Sequence, residues 1–205
     1  MIPLENNIID LINQKIDKLK EFIFDSKRIQ RGVIEHIQIL CYEQISGLIE
    51  EGLVVTDTLS VKSIEDVEIK YDNNVYKIDI KVHDISKDFS IPNLISIDKA
   101  RKYLKKTTNH IIYIFINYKI NEDMVKIVDI HVKPIESLDW SYLTIQNLGK
   151  GQLQLKSTDN IFFNDNTTRK EWSDKLIKEG KEYYDRLILK VSEYITNWND
   201  ESKWD

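Results

Sequence analysis

The stretch DVEIKYDNNVYKIDIKVHDISKDFSIPN, from Asp66 to Asn93, decides the predicted fold. Apolar and polar residues alternate on both sides of YDNN, a tetrapeptide rich in turn-forming residues. This pattern predicts a β-hairpin with strands over 66–71 and 75–82. Because the hairpin is followed by helical and strand patterns, we expect its second strand to lie inside a larger sheet.

One face of the second predicted strand carries a compact polar site. Because strand side chains alternate between faces, Asp79, Lys81 and His83 are predicted to share one face. The apolar residues between them point the other way, into a core: Ile78, Ile80 and Val82. The hairpin would also bring Asp66 towards Asp79. Two carboxylates beside a lysine suit a divalent metal ion and the hydrolysis of phosphodiesters.

Acid-x-lysine triplets are frequent in this chain, and their surroundings separate one from the rest. Five occur, beginning at Asp25, Glu68, Asp79, Glu179 and Glu201. Only the triplet at Asp79 lies in an alternating apolar strand with an acid across a predicted hairpin. The alternative interpretation is an edge strand with one polar face. Burying an acid and a lysine on a central strand costs free energy unless the charges are paired or take part in function. This cost favours a functional site over a structural one.

Composition predicts one soluble intracellular domain. The chain has 205 residues, 41% of them hydrophobic, with six glycines and three prolines, which disfavours long linkers. We expect N-terminal helices over 1–60, the catalytic sheet and recognition elements over 61–165, and a C-terminal helix over 166–205. The chain shows no bilayer-length apolar run, no secretory signal pattern and a lone cysteine, Cys41. A cytoplasmic protein without a membrane partner is therefore the expectation.

The charge balance bears on nucleic-acid binding. The formal net charge is −5, which counts against a nonspecific nucleic-acid coat because such proteins are normally basic. It leaves room for an enzyme that holds DNA with local basic patches and keeps its acids for metal.

Hydrophobic periodicity predicts the remaining elements. Apolar residues at helical spacing predict helices over 4–24, 33–51, 94–106 and 169–198. Alternating or continuous apolar runs predict strands over 53–55, 110–118, 124–132 and 152–155. Pro92-Asn93 is interpreted as a helix start and Thr168 to Glu171 as a capping box. The predicted fold class is α/β, with a central mixed sheet of five or six strands flanked by helices.

Several ordered motifs resemble a known family. The segment IDIKVHDISKDFSIPNLIS, over 78–96, resembles the catalytic segment of type II restriction endonucleases of the PD-(D/E)xK superfamily. The likeness is closest to the HincII-like group and looser to SwaI-type enzymes. Gln152-Leu153-Gln154 resembles a Gln-x-Gln strand of that group, and TRKEW over 168–172 resembles a helix start. The superfamily's proline before the first acid is absent here, since Glu65 precedes Asp66.

The resemblance implies an activity, a cofactor and partners. It implies a restriction-endonuclease-like core that hydrolyses double-stranded DNA with Mg²⁺ and leaves 5′-phosphate ends. A palindromic target implies a homodimer, and restriction implies a paired DNA methyltransferase. The implied catalytic residues are Asp66, Asp79, Lys81 and Glu35. The implied metal ligands are Asp66, Asp79 and the carbonyl of Ile80. The implied DNA contacts are His83, Lys87, Ser90, Asn93, Lys150, Gln152, Gln154 and Arg169.

Three alternatives stay open at the level of sequence. The same core occurs in repair and structure-selective nucleases. Such an enzyme would recognise the structure of its DNA through a groove, where a restriction enzyme has residues that contact bases. A catalytically silent DNA-binding module of the same fold is a second alternative, although Asp79 and Lys81 are both present. The third is an unrelated α/β domain in which the motifs coincide by chance.

Overall fold

Two β-sheets organise the part of the chain that the structure describes. The structure is a computed structural model, and it describes residues 4–29, 32–48, 53–57, 66–87, 93–146, 151–157 and 161–200. The helices are α1 (Leu4–Ile16), α2 (Val33–Ser46), α3 (Ile97–Tyr103) and α4 (Arg169–Asp200). The strands are β1 (Ile23–Asp25), β2 (Val54–Asp57), β3 (Val67–Tyr71), β4 (Asn74–Asp84), β5 (Asn93–Ser96), β6 (Asn109–Asn121), β7 (Met124–Pro134), β8 (Leu143–Gln146) and β9 (Gln152–Leu155).

The larger sheet is mixed and has six strands in the order β1-β7-β6-β4-β3-β2. Strands β4 and β6 run parallel, and every other neighbouring pair is antiparallel. The smaller sheet has three antiparallel strands in the order β5-β9-β8. The predicted α/β class, with a central mixed sheet flanked by helices, is confirmed.

The helices and the small sheet cover the two faces of the large sheet with separate hydrophobic cores. The core on one face joins α1 and α2 to inward side chains of the large sheet, such as Ile12, Ile37 and Ile78. The core on the other face joins α3, α4 and the small sheet, for example through Trp172 and Leu153. Strands β4 and β6 are the two central strands of the large sheet. Because both faces of the sheet are covered there, polar side chains such as Asp79 and His83 are buried.

The hairpin predicted around YDNN is present. Strands β3 and β4 pair antiparallel with Tyr71 opposite Asn74. The two residues between them, Asp72 and Asn73, have φ values of 44° and 62°. Asp and Asn tolerate this left-handed conformation better than most residues, and two such residues in succession match the twist of a two-residue hairpin.

The first predicted helix is too long. Helix α1 ends at Ile16, a 3₁₀ segment covers Asp17–Glu21, and β1 pairs antiparallel with β7. The apolar residues near position 23 therefore serve an edge strand, because a short apolar run fits either periodicity. Helix α2 likewise ends at Ser46, before the predicted limit of 51.

The helix predicted from the Pro92-Asn93 start is wrong at its beginning. Asn93 opens strand β5, which pairs with β9, and α3 begins only at Ile97. Ser96 is the residue that caps α3, since its hydroxyl accepts a hydrogen bond from the amide of Lys99 at 3.3 Å. The two apolar residues after Asn93 are buried in the second core, so packing favours a strand there.

The last helix has the predicted start. The amide of Thr168 donates to the Glu171 carboxylate at 2.9 Å, and the amide of Glu171 donates to the Thr168 hydroxyl at 3.3 Å. These reciprocal bonds form the capping box that the sequence predicts. No helix within the described ranges is long and apolar enough to span a membrane.

Candidate active site

The candidate site lies on the central strand β4. Asp79 and Lys81 project from the face of β4 that is turned towards α3, α4 and the small sheet, because Ile78 and Ile80 fill the core on the opposite face. Strand β4 is hydrogen-bonded to β3 on one side and to β6 on the other, so the backbone that carries the two side chains is rigid.

Asp79 and Lys81 form an ion pair. The Lys81 Nζ lies 2.8 Å from Oδ1 of Asp79. Asp79 is only 8% exposed, whereas the Lys81 side chain is 21% exposed. Burying an ion pair removes water from both charges. The attraction between the charges offsets this desolvation only in part, so the pair costs the protein stability.

Asp66 reaches the same place from the other arm of the hairpin. Its backbone amide donates to the Ile78 carbonyl at 2.9 Å, which extends the pairing of the hairpin by one residue. Its carboxylate Oδ2 accepts a hydrogen bond from the Ile80 amide at 2.7 Å. The two acids predicted to meet across the hairpin therefore converge around Ile80.

The electrostatics of the site raise the pKa of Asp79 to about 7. Burial is the largest cause, because it penalises the charged carboxylate. Lys81 acts in the opposite direction, by its charge and its hydrogen bond, and the Asp66 carboxylate raises the pKa further. Burial, reinforced by Asp66 and opposed by Lys81, thus brings the pKa of Asp79 near neutral pH.

Gln38 of α2 is a site residue that the sequence did not reveal. Its Nε2 donates to the Ile80 carbonyl oxygen at 3.2 Å. The peptide unit of Ile80 is thereby oriented from both ends, by Asp66 on the amide and by Gln38 on the carbonyl. Glutamine on an amphipathic helix carries no distinguishing pattern, so no sequence signal could have identified it.

Glu35 is the third acid that the sequence assigns to the catalytic site. It lies in the first turn of α2, one turn before Gln38, and its side chain is exposed. Within the described residues, no group of three or more His, Cys, Asp and Glu side chains could hold a metal ion. The role of Glu35 at the catalytic site stays a prediction.

Tyr113 is the second residue that sequence reasoning missed. It lies on β6 directly beside Asp79 in the parallel register and is fully buried. In the part of the chain that the structure describes, its hydroxyl has no hydrogen-bond partner. Burial and the charge of Asp79 both raise the pKa of Tyr113, so it stays a neutral phenol. In the sequence it is hidden in the apolar run of β6.

The donor set fits a magnesium ion. Mg²⁺ takes hard oxygen ligands, and proteins bind it through one or two carboxylates while it keeps several waters. Asp66 and Asp79 provide two carboxylates, and the Ile80 carbonyl retains a second lone pair beside its bond to Gln38. These three groups could hold the ion, and Lys81 would stand beside it.

The small sheet gathers three of the predicted DNA contacts. Asn93 on β5 pairs with Gln154 on β9, and Gln152 on β9 pairs with Ser96. The intervening leucines of β9 are buried in the second core, so the amides lie on the opposite face. Strand β8 adds two polar residues to that face in direct register with the glutamines: Thr144 and Gln146.

The remaining predicted DNA contacts differ in accessibility. His83 is 4% exposed, which keeps its ring away from a DNA backbone in this conformation. The Lys87 side chain is 69% exposed, and its ammonium lies 3.5 Å from Asp84. Ser90 and Lys150 lie outside the described residues.

Arg169 is engaged within the protein. Its guanidinium donates to the carbonyls of Leu104, Lys106 and Thr107 at 2.9 to 3.2 Å. It also lies 3.7 Å from the buried carboxylate of Glu136. These contacts fasten the start of α4 to the end of α3, and they occupy the donors that a DNA phosphate would need. The predicted phosphate contact remains untested.

The chain is similar to known proteins at the level of solved structures. No family model matches the chain, and no curated protein matches it. Among solved structures it is similar to the NlaIV restriction endonuclease, with 10% sequence identity and a TM-score of 0.48. The match covers 80% of this chain and 71% of that chain. The comparisons give no support to the HincII-like group in particular, and the function is inferred from the geometry of the site.

Proposed function

We propose that this protein is a Mg²⁺-dependent type II restriction endonuclease that hydrolyses double-stranded DNA at a specific short sequence. One observation carries the proposal: Asp79 and Lys81 are paired at 2.8 Å on a central strand, with the Asp66 carboxylate bonded to the Ile80 amide between them. A structural role alone would be served better by apolar side chains at that depth.

Each residue has a chemical task in this proposal. Mg²⁺, when bound by Asp66, Asp79 and the Ile80 carbonyl, supplies a Lewis acid and a water of lowered pKa. Lys81 holds its ammonium against the scissile phosphate and stabilises the negative charge that develops there. Gln38 and Asp66 fix the Ile80 peptide, so that the carbonyl keeps its orientation. A water oxygen that attacks phosphorus in line with the 3′-oxygen would form a new P–O bond as the P–O3′ bond breaks. The departing 3′-oxygen takes up a proton from solvent, which leaves a 3′-hydroxyl and a 5′-phosphate.

Base recognition is assigned to the amide-bearing face of the small sheet. Amide side chains are neutral and offer donor and acceptor together, which suits bidentate contact with adenine. Asn93 and Gln154 are neighbours across β5 and β9, which supports a shared reading surface. By the motif resemblance, the target is palindromic and read by a homodimer. The protein would then act in the cytoplasm beside a DNA methyltransferase that protects host sites.

The testing experiment incubates the purified protein with unmethylated phage DNA, with Mg²⁺ and separately with a chelator. We expect discrete fragments only with Mg²⁺, and end sequencing then gives the site and the 5′-phosphate. Lys81→Ala is the matched loss-of-function variant, and Lys126→Ala, at an exposed lysine on β7, is the control. A smear would indicate a repair or nonspecific nuclease instead. Binding without cleavage would indicate a silent DNA-binding module.

A further inference from the structure

The C-terminal half of α4 carries an exposed apolar stripe. Five large side chains follow one another at alternating spacings of four and three residues: Tyr184, Ile188, Val191, Ile195 and Trp198. They are between 37% and 74% exposed. This alternation is the spacing of the contact seam between two helices of a coiled coil.

A different stripe of the same helix holds it to the body. Trp172, Leu176, Gly180 and Tyr183 are buried, whereas every side chain over 188–198 is exposed. The helix therefore continues for three turns, about 16 Å, past its attachment. A helical segment this short is marginal in water without packing. An occupant for the seam would supply that packing.

A groove between α3 and α4 continues the seam towards the body. It has a volume of about 470 Å³ and mainly apolar walls that include Ile97, Leu104 and Leu176. Its lining also includes Ile177, Lys181 and Tyr184, which continue the alternating spacing of the stripe. The exposed stripe and the groove thus form one continuous surface along α4.

We propose that the occupant is a second copy of this chain, paired antiparallel along α4, with Trp198 of each copy seated in the α3–α4 groove of the other. This inference deepens the homodimer of the proposed function by naming its surface. It rests on the shape and sequence of α4 and requires no nuclease activity.

The antiparallel register makes the surface complementary to itself. If Ile188 lies opposite the partner's Val191, then Tyr184 meets the partner's Ile195, and Lys181 meets the partner's Trp198. The last pair places an ammonium against an indole ring, which is a favourable cation–π contact. In a parallel pair Lys181 would face the same lysine of the second copy, and Trp198 would face the partner's Trp198, away from both grooves.

The residues that flank the seam agree with this arrangement. On one side Asp185 lies opposite the partner's Ser192, a polar pair without like charges. On the other side Leu187 lies opposite the partner's Tyr194, which extends the apolar contact. Coiled-coil pairs are selected by such flanking positions, and neither of these two pairs opposes pairing. A large aromatic residue seated in a groove is a typical interface anchor.

The test is the mass of the full chain in solution, measured by sedimentation equilibrium without DNA or metal. We expect wild type at twice the chain mass of 24.3 kDa. Ile188→Glu should be monomeric, because it places two carboxylates in the centre of the seam. Leu189→Glu should remain dimeric, because that side chain is as exposed, 65% against 63%, but lies off the seam. Circular dichroism of both variants checks that they stay folded.

Two outcomes would overturn this interface. One is a wild-type protein that stays monomeric at all concentrations. This holds even if the protein binds lipid vesicles, because the stripe would then contact a membrane instead of a second copy. The other is a dimer that Leu189→Glu dissociates as readily as Ile188→Glu. Because neither DNA nor Mg²⁺ is present, a monomer here would contradict the proposed homodimer but leave Mg²⁺-dependent cleavage untested, and failure of cleavage would leave the interface untouched.

A disulfide experiment tests the orientation. Tyr184→Cys and Ile195→Cys proteins are mixed in equal amounts and oxidised, and the products are identified by mass spectrometry. The antiparallel pair predicts mixed disulfides between positions 184 and 195, whereas a parallel pair would give only disulfides between identical positions. Native Cys41 is buried and does not compete. Trp198→Ala should weaken dimerisation by at least about tenfold, as loss of an interface anchor does.

Discussion

The two sheets of this protein treat polar side chains in opposite ways. The six-stranded sheet is covered on both faces, and its central strand buries charged groups, with Asp79 only 8% exposed. The three-stranded sheet packs its leucines into the second core on one face. Its opposite face carries neutral amides, such as Gln152 and Gln154. The charged side chains of the large sheet lie where little water reaches them, whereas the amide side chains of the small sheet lie where a ligand can approach.

This difference has a physical basis. A carboxylate in a dry site interacts strongly with a metal ion or a phosphate, but its desolvation costs stability. An amide costs far less to leave half-exposed and offers a directional pair of hydrogen bonds. In the proposed function the large sheet would perform the chemistry and the small sheet the recognition, so each substitution below should affect only one of these two roles.

Asp79→Asn should produce the largest effect. Asparagine keeps the shape of the side chain but removes the negative charge that would hold Mg²⁺ beside Lys81. We expect cleavage of DNA to fall by at least about 10³-fold, as expected when a principal electrostatic group at the reacting phosphate is lost. Single-turnover cleavage of a plasmid that carries the target site measures it. The control is Asp72→Asn, at an exposed acid in the turn of the same hairpin.

If Asp79→Asn cleaves DNA at the wild-type rate, the site on the large sheet has no role in catalysis. Cleavage that is lost equally in Asp72→Asn would show a general requirement for the hairpin instead of a site. DNA binding in the presence of Ca²⁺ separates these cases from a protein that no longer recognises its substrate.

The same Asp79→Asn substitution should stabilise the protein at high pH. The folded pKa of Asp79, about 7, lies above its ordinary value of 3.8, so its burial is favourable at low pH and becomes a cost as pH rises between these two values. A rise in pKa of this size corresponds to about 4 kcal/mol in the free energy of unfolding. With chelator present, urea unfolding should give a more stable variant at pH 8 and little difference at pH 4.

Asp72→Asn again serves as the reference, with no change expected at either pH because the turn is open to water. An Asp79→Asn protein that is destabilised equally at both pH values would contradict the raised pKa. A gain in stability at pH 8 together with lost cleavage would mean that Asp79 costs the protein stability in return for activity.

Gly151→Ala should weaken the attachment of the small sheet. Gly151 precedes β9 with φ of +79°, and an added Cβ would lie 2.9 Å from the Tyr183 ring and 3.1 Å from the Ile97 side chain. Its carbonyl also accepts a hydrogen bond from the Ile97 amide. Left-handed strain and overpacking together should cost about 2–4 kcal/mol in the free energy of unfolding.

Chemical denaturation of Gly151→Ala and Gly47→Ala provides a matched comparison. A Cβ at Gly47 would meet no atom within 4 Å, and its φ is −62°, so that substitution should be nearly neutral. Equal stability of the two variants would mean that the small sheet is not fastened at this point.

The sequence predicts the large sheet and its site better than the small sheet. The strand alternation around Asp79 fixes which residues share a face, and the YDNN turn fixes where Asp66 lies, because both signals are local. Gln38 and Tyr113 escape prediction because their importance depends on contacts between distant segments. A glutamine on a helix and a tyrosine in an apolar run are ordinary until the fold brings them to Ile80 and Asp79.

The small sheet shows the limit of local signals most clearly. Pro-Asn is a reasonable helix start, yet Asn93 opens a strand, because β9 offers hydrogen-bond partners and the second core accepts the two apolar residues that follow. The partner strand is distant in the sequence, so no local pattern contains it. The capping box at Thr168 is predicted correctly because all of its bonds lie within one helical turn.

Gln154→Ala should produce the smallest effect, in binding selectivity. A well-placed amide contributes about 1–3 kcal/mol of discrimination between bases, so preference for the target over a single-base variant should fall roughly 10- to 100-fold. Fluorescence anisotropy in Ca²⁺ measures both DNAs. Cleavage of target bound to saturation should keep the wild-type rate, because Asp66, Asp79 and Lys81 are unchanged. Gln14→Ala, at an exposed glutamine on α1, is the control.

The pattern of loss in Gln154→Ala decides whether the small sheet reads bases or only holds the backbone. Weakening that is equal for target and variant DNA, as expected for Lys87→Ala at a phosphate, would indicate contact with the backbone. Weakening confined to the target would indicate contact with a base edge. A lower cleavage rate at saturation would contradict the division of labour between the sheets, because the amide would then contribute to the chemistry performed on β4.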